Sequence, residues 1–332
     1  YYFRGLRKKL LNESYFIEAA HLSRYGFEQQ KDAYTIPFVL RGSPPSEEEP
    51  SRFYRMTHEQ EYYKNYERKV SGLKEITEAL RSDEEHDDVY VFAQSKIGDI
   101  GRRPFLYWFG DETLSLFSEH PTLGDVADIV VGLQTGDDDQ FTKKWWEIPQ
   151  SQLHTRYLRF QMSGTTSEYY DYAEDFVDWK EEGENIIDYD GSRPQNREYY
   201  GKRGVTFRNF GNYLTARLQL DGMMFSNKSM FVTPDEFSVQ MILAHLNSTI
   251  HRFIANGLNP GLNFEVGDGK RLPIKREFDQ AEQISKLVDI GIKCRRGISK
   301  LTETSADYQL EWVESVLNTS PNSIIYAEKM RQ

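Results

Sequence analysis

Residues 193–232 read RPQNREYYGKRGVTFRNFGNYLTARLQLDGMMFSNKSMFV, and the texture changes halfway along. The second half, 214–232, alternates apolar and polar positions on either side of Asp221-Gly222, which predicts two strands joined as a hairpin. Pro234-Asp235-Glu236 come next. Acids in a first turn favour the positive end of a helix, so a helix is expected over 235–256. Its apolar residues are Phe237, Met241, Ile242, Ala244, Leu246, Ile250 and Phe253. Strands grouped apart from helices, rather than alternating with them, predict an α+β fold.

Upstream, VYVFA (89–93), RPFLYWF (103–109) and IVVGLQT (129–135) read as short strands, with short helices within 111–128. Residues 58–81 have helical spacing and no Pro, and DEEHDD (83–88) ends them as a boundary. RGLRKKLL (4–11) reads as a helix running through NESYFIEAAHL into a strand. YTIPFVLR (34–41) reads as an edge strand that tolerates Pro37, and SPPSEEEP (43–50) as a loop. Downstream, Asn263 to Val266 reads as a short strand, 279–301 as an amphipathic helix and 307–317 as a last short helix. Three regions result, 1–88, 89–275 and 276–332.

The 332 residues suffice for one large or two ordinary domains, and 38% hydrophobic content allows a sizeable core. Cys294 is the single cysteine, which excludes an internal disulfide and a cysteine zinc site. The seven histidines have no metal-ligand spacing. No signal-like or membrane-length apolar run occurs, so a soluble, cytoplasmic protein is expected. The chain starts at Tyr1 and not at Met, as a piece of something longer would.

The net charge of −11 argues against a uniformly cationic DNA binder. Its distribution is uneven. Residues 168–190 hold ten acids and one base, Lys180. Residues 193–228 hold Arg193, Arg197, Lys202, Arg203, Arg208, Arg217 and Lys228 against only Glu198 and Asp221. Further basic knots are Lys270, Arg271, Lys275 and Arg276, then Lys293, Arg295, Arg296 and Lys300. A local positive surface on an acidic body is one reading, and ordinary solvated charge is the other.

Residues 193–217 mix these cations with Gln195, Asn196, Asn209, Asn212 and aromatics. Arg reads guanine and Asn or Gln reads adenine through bidentate hydrogen bonds, whereas Lys and Arg grip phosphate. A surface hairpin with satisfied polar groups would have the same composition. Several chemistries are missing. Adenine N6 methylation requires a D/N-P-P-Y/F loop to hold the flipped base. Pro44-Pro45 sits instead in SPPS. The glycine turns GDIG (98–101) and GLQTGDDD (132–139) do not follow a convincing βαβ start, so neither reads as a methyl-donor loop. No Walker A sequence occurs, and Asp137 to Asp139 lacks the E-x-K partner of a nuclease site. Trp145-Trp146 and Trp179 read as core or interface, and Asn256, Asn259 and Asn263 as turn and cap residues.

Taken in order, LRKKLLNESYFIEAAHL, TIPFVLR, RRPFLYWF, GLQTGDDDQFTKKWWEI, WKEEGENI, GSRPQNREYYGKRGVTF, AHLNSTI, LNPGLNFEVGDGKRLPI and ETS (303–305) resemble the C-terminal half of PglX-type adenine methyltransferases of BREX phage-defence systems. Related restriction–methylation enzymes with fused target-recognition domains are similar. The chain departs from that pattern at Asp138 or Asp139, where Asn is usual, at Phe207, where Trp is common, and at Gly261 and Gly269.

The resemblance implies the trailing part of a Rossmann-like methyltransferase sheet over 1–88, a strand-rich target-recognition domain over 89–275 and C-terminal helices over 276–332. It implies double-stranded DNA as partner, together with a catalytic half or other defence proteins. S-adenosylmethionine would serve the full-length enzyme, with no cofactor or metal expected on this chain. Arg193, Gln195, Asn196, Arg197, Lys202, Arg203 and Arg208 are the expected DNA-facing residues. No catalytic residue is carried over. The competing expectation is a non-catalytic specificity or partner-binding subunit.

Overall fold

The computed structural model describes residues 4–29, 33–46, 49–57, 60–98, 105–162, 167–208, 214–259 and 264–308. They form two compact units, Tyr1–Glu119 and His120–Gln332. Among the described residues no helix is long and apolar enough to cross a membrane.

In the first unit α1 (Arg4–Glu13) leads into β1 (Tyr15–His21), β2 (Phe38–Arg41), β3 (Pro50–Arg55), α2 (Tyr66–Arg81), β4 (Val89–Ala93), α3 (Ser95–Gly98) and α4 (Asp111–Glu119). The sheet order is β2-β1-β3-β4, with β1 and β3 parallel and the outer pairs antiparallel. Alternation along the strands buries Phe16, Phe53 and Phe92 on one side with Leu11, Ile97 and Tyr107. Tyr107 stacks on Phe53 at 4.3 Å between ring centroids. The α1–β1 joint leaves backbone groups that the sheet cannot pair, and Gln94 takes them. Its Oε1 accepts from Phe16 N at 2.8 Å, and its Nε2 donates to the carbonyls of Leu11 and Ser14. Lys69, buried on α2, donates to the carbonyls of Leu22 and Met56.

Two sequence expectations change here. Residues 105–109 form a turn and not a strand, with Phe109 N bonded to Leu106 O at 2.9 Å. The apolar run that resembled a strand is instead a knot of rings, since Leu106, Tyr107 and Phe109 are all buried. The acidic run before β4, read as a boundary, lies inside the first unit because β4 pairs with β3 directly after it.

The second unit contains α5 (Leu123–Val126), β5 (Ile129–Val131), β6 (Leu133–Gln134), α6 (Asp138–Phe141), β7 (Thr142–Lys144), β8 (Tyr157–Gln161), β9 (Asp175–Asp178), α7 (Glu184–Ile187), β10 (Arg193–Pro194), β11 (Gly204–Arg208), β12 (Ala216–Gln219), β13 (Met224–Phe225), β14 (Ser229–Val232), α8 (Val239–Asn247), α9 (Thr249–Leu258), α10 (Val266–Gly269) and α11 (Ala281–Lys300). One sheet runs β12-β11-β14-β5, a second runs β13-β8-β9-β7, and β10 pairs with β6. The two larger sheets meet where Phe225 of β13 stacks on Phe231 of β14, with centroids 4.9 Å apart. Two glycines make room for these rings. A Cβ on Gly204 would lie 2.4 Å from the Phe231 ring, and one on Gly132 would lie 1.9 Å from the Phe225 carbonyl oxygen. α8 crosses β12 and β11, and α11 packs on α8. Asn247, ending α8, accepts from Ala216 N at 2.8 Å and donates to Ala216 O at 2.9 Å.

The expected hairpin about Asp221-Gly222 does not close on itself. β12 and β14 both pair with β11, which lies between them, and the turn leads into β13 in the other sheet. The helix expected over 235–256 starts later and is broken in two. Its cap is Ser238, whose Oγ accepts from Met241 N at 3.2 Å. Ser248 adopts an extended conformation, accepts from His251 N and so starts α9. The apolar spacing continues through the break, so the pattern hides it. Val266, expected to end a strand, instead begins α10, and Asp268 accepts from Glu265 N at 3.0 Å. The last expected helix, 307–317, lies mostly outside the described residues.

α8 and α9 bury His245 and His251 with their rings 4.9 Å apart. Each Nε2 faces a carbonyl, of Lys275 at 3.0 Å and of Pro273 at 2.7 Å. Burial draws His245 down to about 3, helped by the charges of His251 and His120, and draws His251 down to about 4. The unfolded chain therefore binds protons more tightly than the folded one, and stability falls as pH drops from about 6.5 toward these values. Between pH 7 and 5 each ring should cost at most about 2 kcal/mol. Chemical denaturation across that range should show the loss, and a His245→Gln/His251→Gln variant, weaker at pH 8, should lose less. An equal pH slope in both proteins would refute the assignment.

Candidate nucleic-acid interface

The segment 193–203 crosses the second unit as an irregular strap. β10 pairs Arg193 with Gln134 and Pro194 with Leu133. The chain then turns through Asn196, at φ 54°, into a single helical turn over Arg197–Tyr199. Asn tolerates this left-handed conformation better than most residues. Here its Nδ2 also donates to Val131 O at 2.8 Å, fastening the turn to β5. Tyr199 donates to Asp128 Oδ2 at 2.6 Å, a bond that pushes its hydroxyl up to about 12. Tyr199 lies against Phe231, and Tyr200 packs edge-on against Phe225 and Trp179. Gly201, at φ 74°, bonds Met223 O through its N–H and enters β11.

These inward anchors decide which side chains face out. Arg193, Gln195, Arg197, Lys202 and Arg203 are exposed. Among the described residues, none of the four cations pairs with a carboxylate. Several other bases of the chain do so. Lys144 meets Glu174 and Asp175, Arg156 meets Asp178, Lys228 meets Asp138 at 3.1 Å and Arg276 meets Glu236. Lys202 instead places its Nζ over the Tyr199 ring, 5.1 Å from the centroid, a contact that holds the side chain without using a carboxylate.

Arg208 is set apart from these five. It is half-buried at the end of β11, and its Nε has no hydrogen-bond partner. Arg208 faces the fully buried Arg217, whose Nε is 3.9 Å from Asp171. Burial draws Arg217 down to about 10 despite that carboxylate. Of the seven residues expected on the DNA side, five share one exposed strap, Asn196 is a structural fastening and Arg208 is partly buried. Asn209 and Asn212 lie outside the described residues.

The remaining polar motifs resolve into structure. Asp137 caps α6 by accepting from Gln140 N, and Asp138 accepts from the Thr135 hydroxyl at 2.5 Å. Among the described residues no group of three or more His, Cys, Asp or Glu could hold a metal. The glycine turn at 132–139 does not fit a methyl donor. The space above Gly132 is filled by Phe225, and Gly136, at φ 83°, packs against the backbone of Gly191 and Ser192. Residues 99–101 of the other glycine turn lie outside the described residues. Trp145 donates to Thr304 O at 2.8 Å, whereas Trp179 covers Gly183. Asn259 donates to Asp268 at 2.7 Å.

No family model matches the chain. Sequence relatives nevertheless define a class, the adenine-specific methyltransferases, and the resemblance holds over most of this chain. BrxX of Escherichia coli O9:H4 (strain HS) is 23% identical over 301 residues, covering 87% of this chain and 24% of that protein. PglX of Lacticaseibacillus casei (strain Zhang) is 24% identical over 231 residues, covering 63% of this chain and 19% of that protein. The chain thus spans about a quarter of the length of BrxX and less of PglX. Among solved structures, the type IIG restriction endonuclease BpuSI aligns with 86% of this chain and 40% of its own, at 13% identity and a TM-score of 0.39.

Replacing Asn196 by Ala removes the Val131 bond and puts a residue with no local hydrogen bond at positive φ. A loss of about 1–3 kcal/mol is expected in urea denaturation. A loss below about 0.3 kcal/mol would show that the strap is not fastened there.

Proposed function

We propose that this chain is the DNA-recognition part of a site-specific adenine-N6 DNA methyltransferase of a phage-defence or restriction–modification system, with S-adenosylmethionine as methyl donor of the complete enzyme. One observation carries the reading. Arg193, Arg197, Lys202 and Arg203 stand exposed, and paired with no carboxylate among the described residues, on one strap of a chain with net charge −11. Cations that have no acid to neutralise them in the folded protein remain free for phosphate or for guanine edges. Gln195, beside them, supplies the amide that suits adenine.

In this reading the second unit reads the duplex, and α11 is a strut against α8. The first unit is the trailing part of a Rossmann-like catalytic sheet. The parallel β1–β3 pair and the two open edges, β2 and β4, are consistent with it. The division between catalytic and recognition parts then falls after Glu119 and not after residue 88. No methyl-transfer step is assigned to this chain, because the D/N-P-P-Y/F loop is missing from its sequence. That absence also favours a second reading, a non-catalytic DNA-specificity or partner-binding subunit.

The test is duplex binding across a salt series, with S-adenosylmethionine titrated separately by calorimetry. The chain should bind duplex without binding donor. Changing Arg193, Arg197, Lys202 and Arg203 together to Ala should weaken binding and flatten the log–log salt slope by about 3. Unchanged affinity and slope would remove the strap from the interface. Saturable donor binding would mean a complete methyl-donor site exists on this chain.

A further inference from the structure

The third basic knot of the sequence belongs to α11, and the fold gives it a setting that the sequence does not. Lys293, Arg296 and Lys300 follow one another at steps of three and four, so they share a face of the helix over about 10 Å. Past the end of α11 the chain turns back through Leu301–Tyr308, held by the bonds Ser305 N to Thr302 O and Tyr308 N to Ser305 O. Helix and return segment enclose a cleft of about 650 Å³, lined by the three cations with Asp307 and Tyr308.

The charges in this cleft are unequal. Among the described residues Asp307 is its one acid, and that carboxylate is occupied within the fold. It accepts from Arg159 Nη2 at 2.7 Å, from the Tyr170 hydroxyl and from Ser299 Oγ at 3.0 Å. Lys293, Arg296 and Lys300 pair with no carboxylate among the described residues. Arg296 lies over the Tyr170 ring, 5.6 Å from its centroid, which orients the guanidinium without consuming its donors. The helix dipole favours a cation near a C-terminus, and Lys300 in the last turn satisfies that. It does not explain two further unpaired cations on the same face, or their convergence on a concave surface.

We propose that this cleft is a second phosphate-contact site, taking the phosphodiester backbone of the bound duplex outside the surface formed by the 193–203 strap. The inference rests on the DNA-recognition reading above. Three cations over 10 Å span about two successive phosphates of one strand. Contacts of this kind fix register and orientation and carry no base preference. The cleft therefore contributes to affinity and salt dependence, and sequence discrimination stays with the strap.

The experiment compares the full chain with two triple variants by fluorescence anisotropy on labelled duplex from low to moderate salt. Lys293→Gln/Arg296→Gln/Lys300→Gln should weaken binding and flatten the salt slope by about 2 to 3. Its ranking of different duplex sequences should match that of the unmodified chain. Lys293→Arg/Arg296→Lys/Lys300→Arg keeps the charge and should bind as the unmodified chain does, which separates charge from folding. If the unmodified chain binds duplex and the glutamine variant binds with the same affinity and slope, the cleft assignment fails and the strap reading stands. If the unmodified chain binds no duplex at any salt, both fail. Free deoxyadenosine monophosphate, titrated by calorimetry, separates a backbone track from a nucleotide pocket. Saturable binding that the glutamine variant abolishes would overturn the backbone assignment.

Discussion

The second unit is organised around the stack of Phe225 on Phe231. Each ring comes from a different sheet, and each needs a neighbour without a side chain. Gly204 lies under Phe231, and Gly132 lies against the Phe225 backbone. A methyl group at either glycine would separate strands that now touch. The stack also receives the strap from outside, with Tyr199 against Phe231 and Tyr200 against Phe225. One aromatic contact thus joins two sheets and fixes the course of the segment that carries the exposed cations. A face built this way is held firmly, because its anchors pack on the fully buried Phe225 and Phe231.

The residues pointing outward from that strap gain their significance from what the rest of the chain does with charge. Several bases elsewhere are matched by acids, as at Arg156 with Asp178 and Lys144 with Glu174 and Asp175. Such pairs contribute little to stability when exposed. They do remove both charges from the field felt by a ligand. The strap cations have no such partner among the described residues, although the protein as a whole is acidic.

How far the sequence could be read depended on the range of the interactions involved. α11 was legible because its apolar spacing is local, and the exposed strap was legible as a polar stretch of unusual composition. The fate of individual residues within it was not. Asn196 reads as an adenine-type amide, yet its donor belongs to Val131, 65 residues upstream. Arg208 reads like its neighbours, but the fold turns it toward buried Arg217. The hairpin about Asp221-Gly222 failed because β11 inserts between the two strands, a pairing that no local turn signal encodes. The break between α8 and α9 was hidden because Ser248 lies between residues that keep the helical period. The α11 cleft needed Asp307 and Tyr308 to fold back onto the helix.

The unmatched strap on an acidic body has a consequence for how the molecule meets a polyanion. At physiological ionic strength the net charge of −11 is screened beyond about a Debye length, some 8 Å, so a polyanion meets the local surface and not the whole charge. Within that range the acidic stretches repel a polyanion and the strap attracts it. Encounters in the wrong orientation are therefore rejected early. Those that survive arrive with the strap leading. The orientation of approach is then chosen by what the surface refuses as much as by what the strap holds.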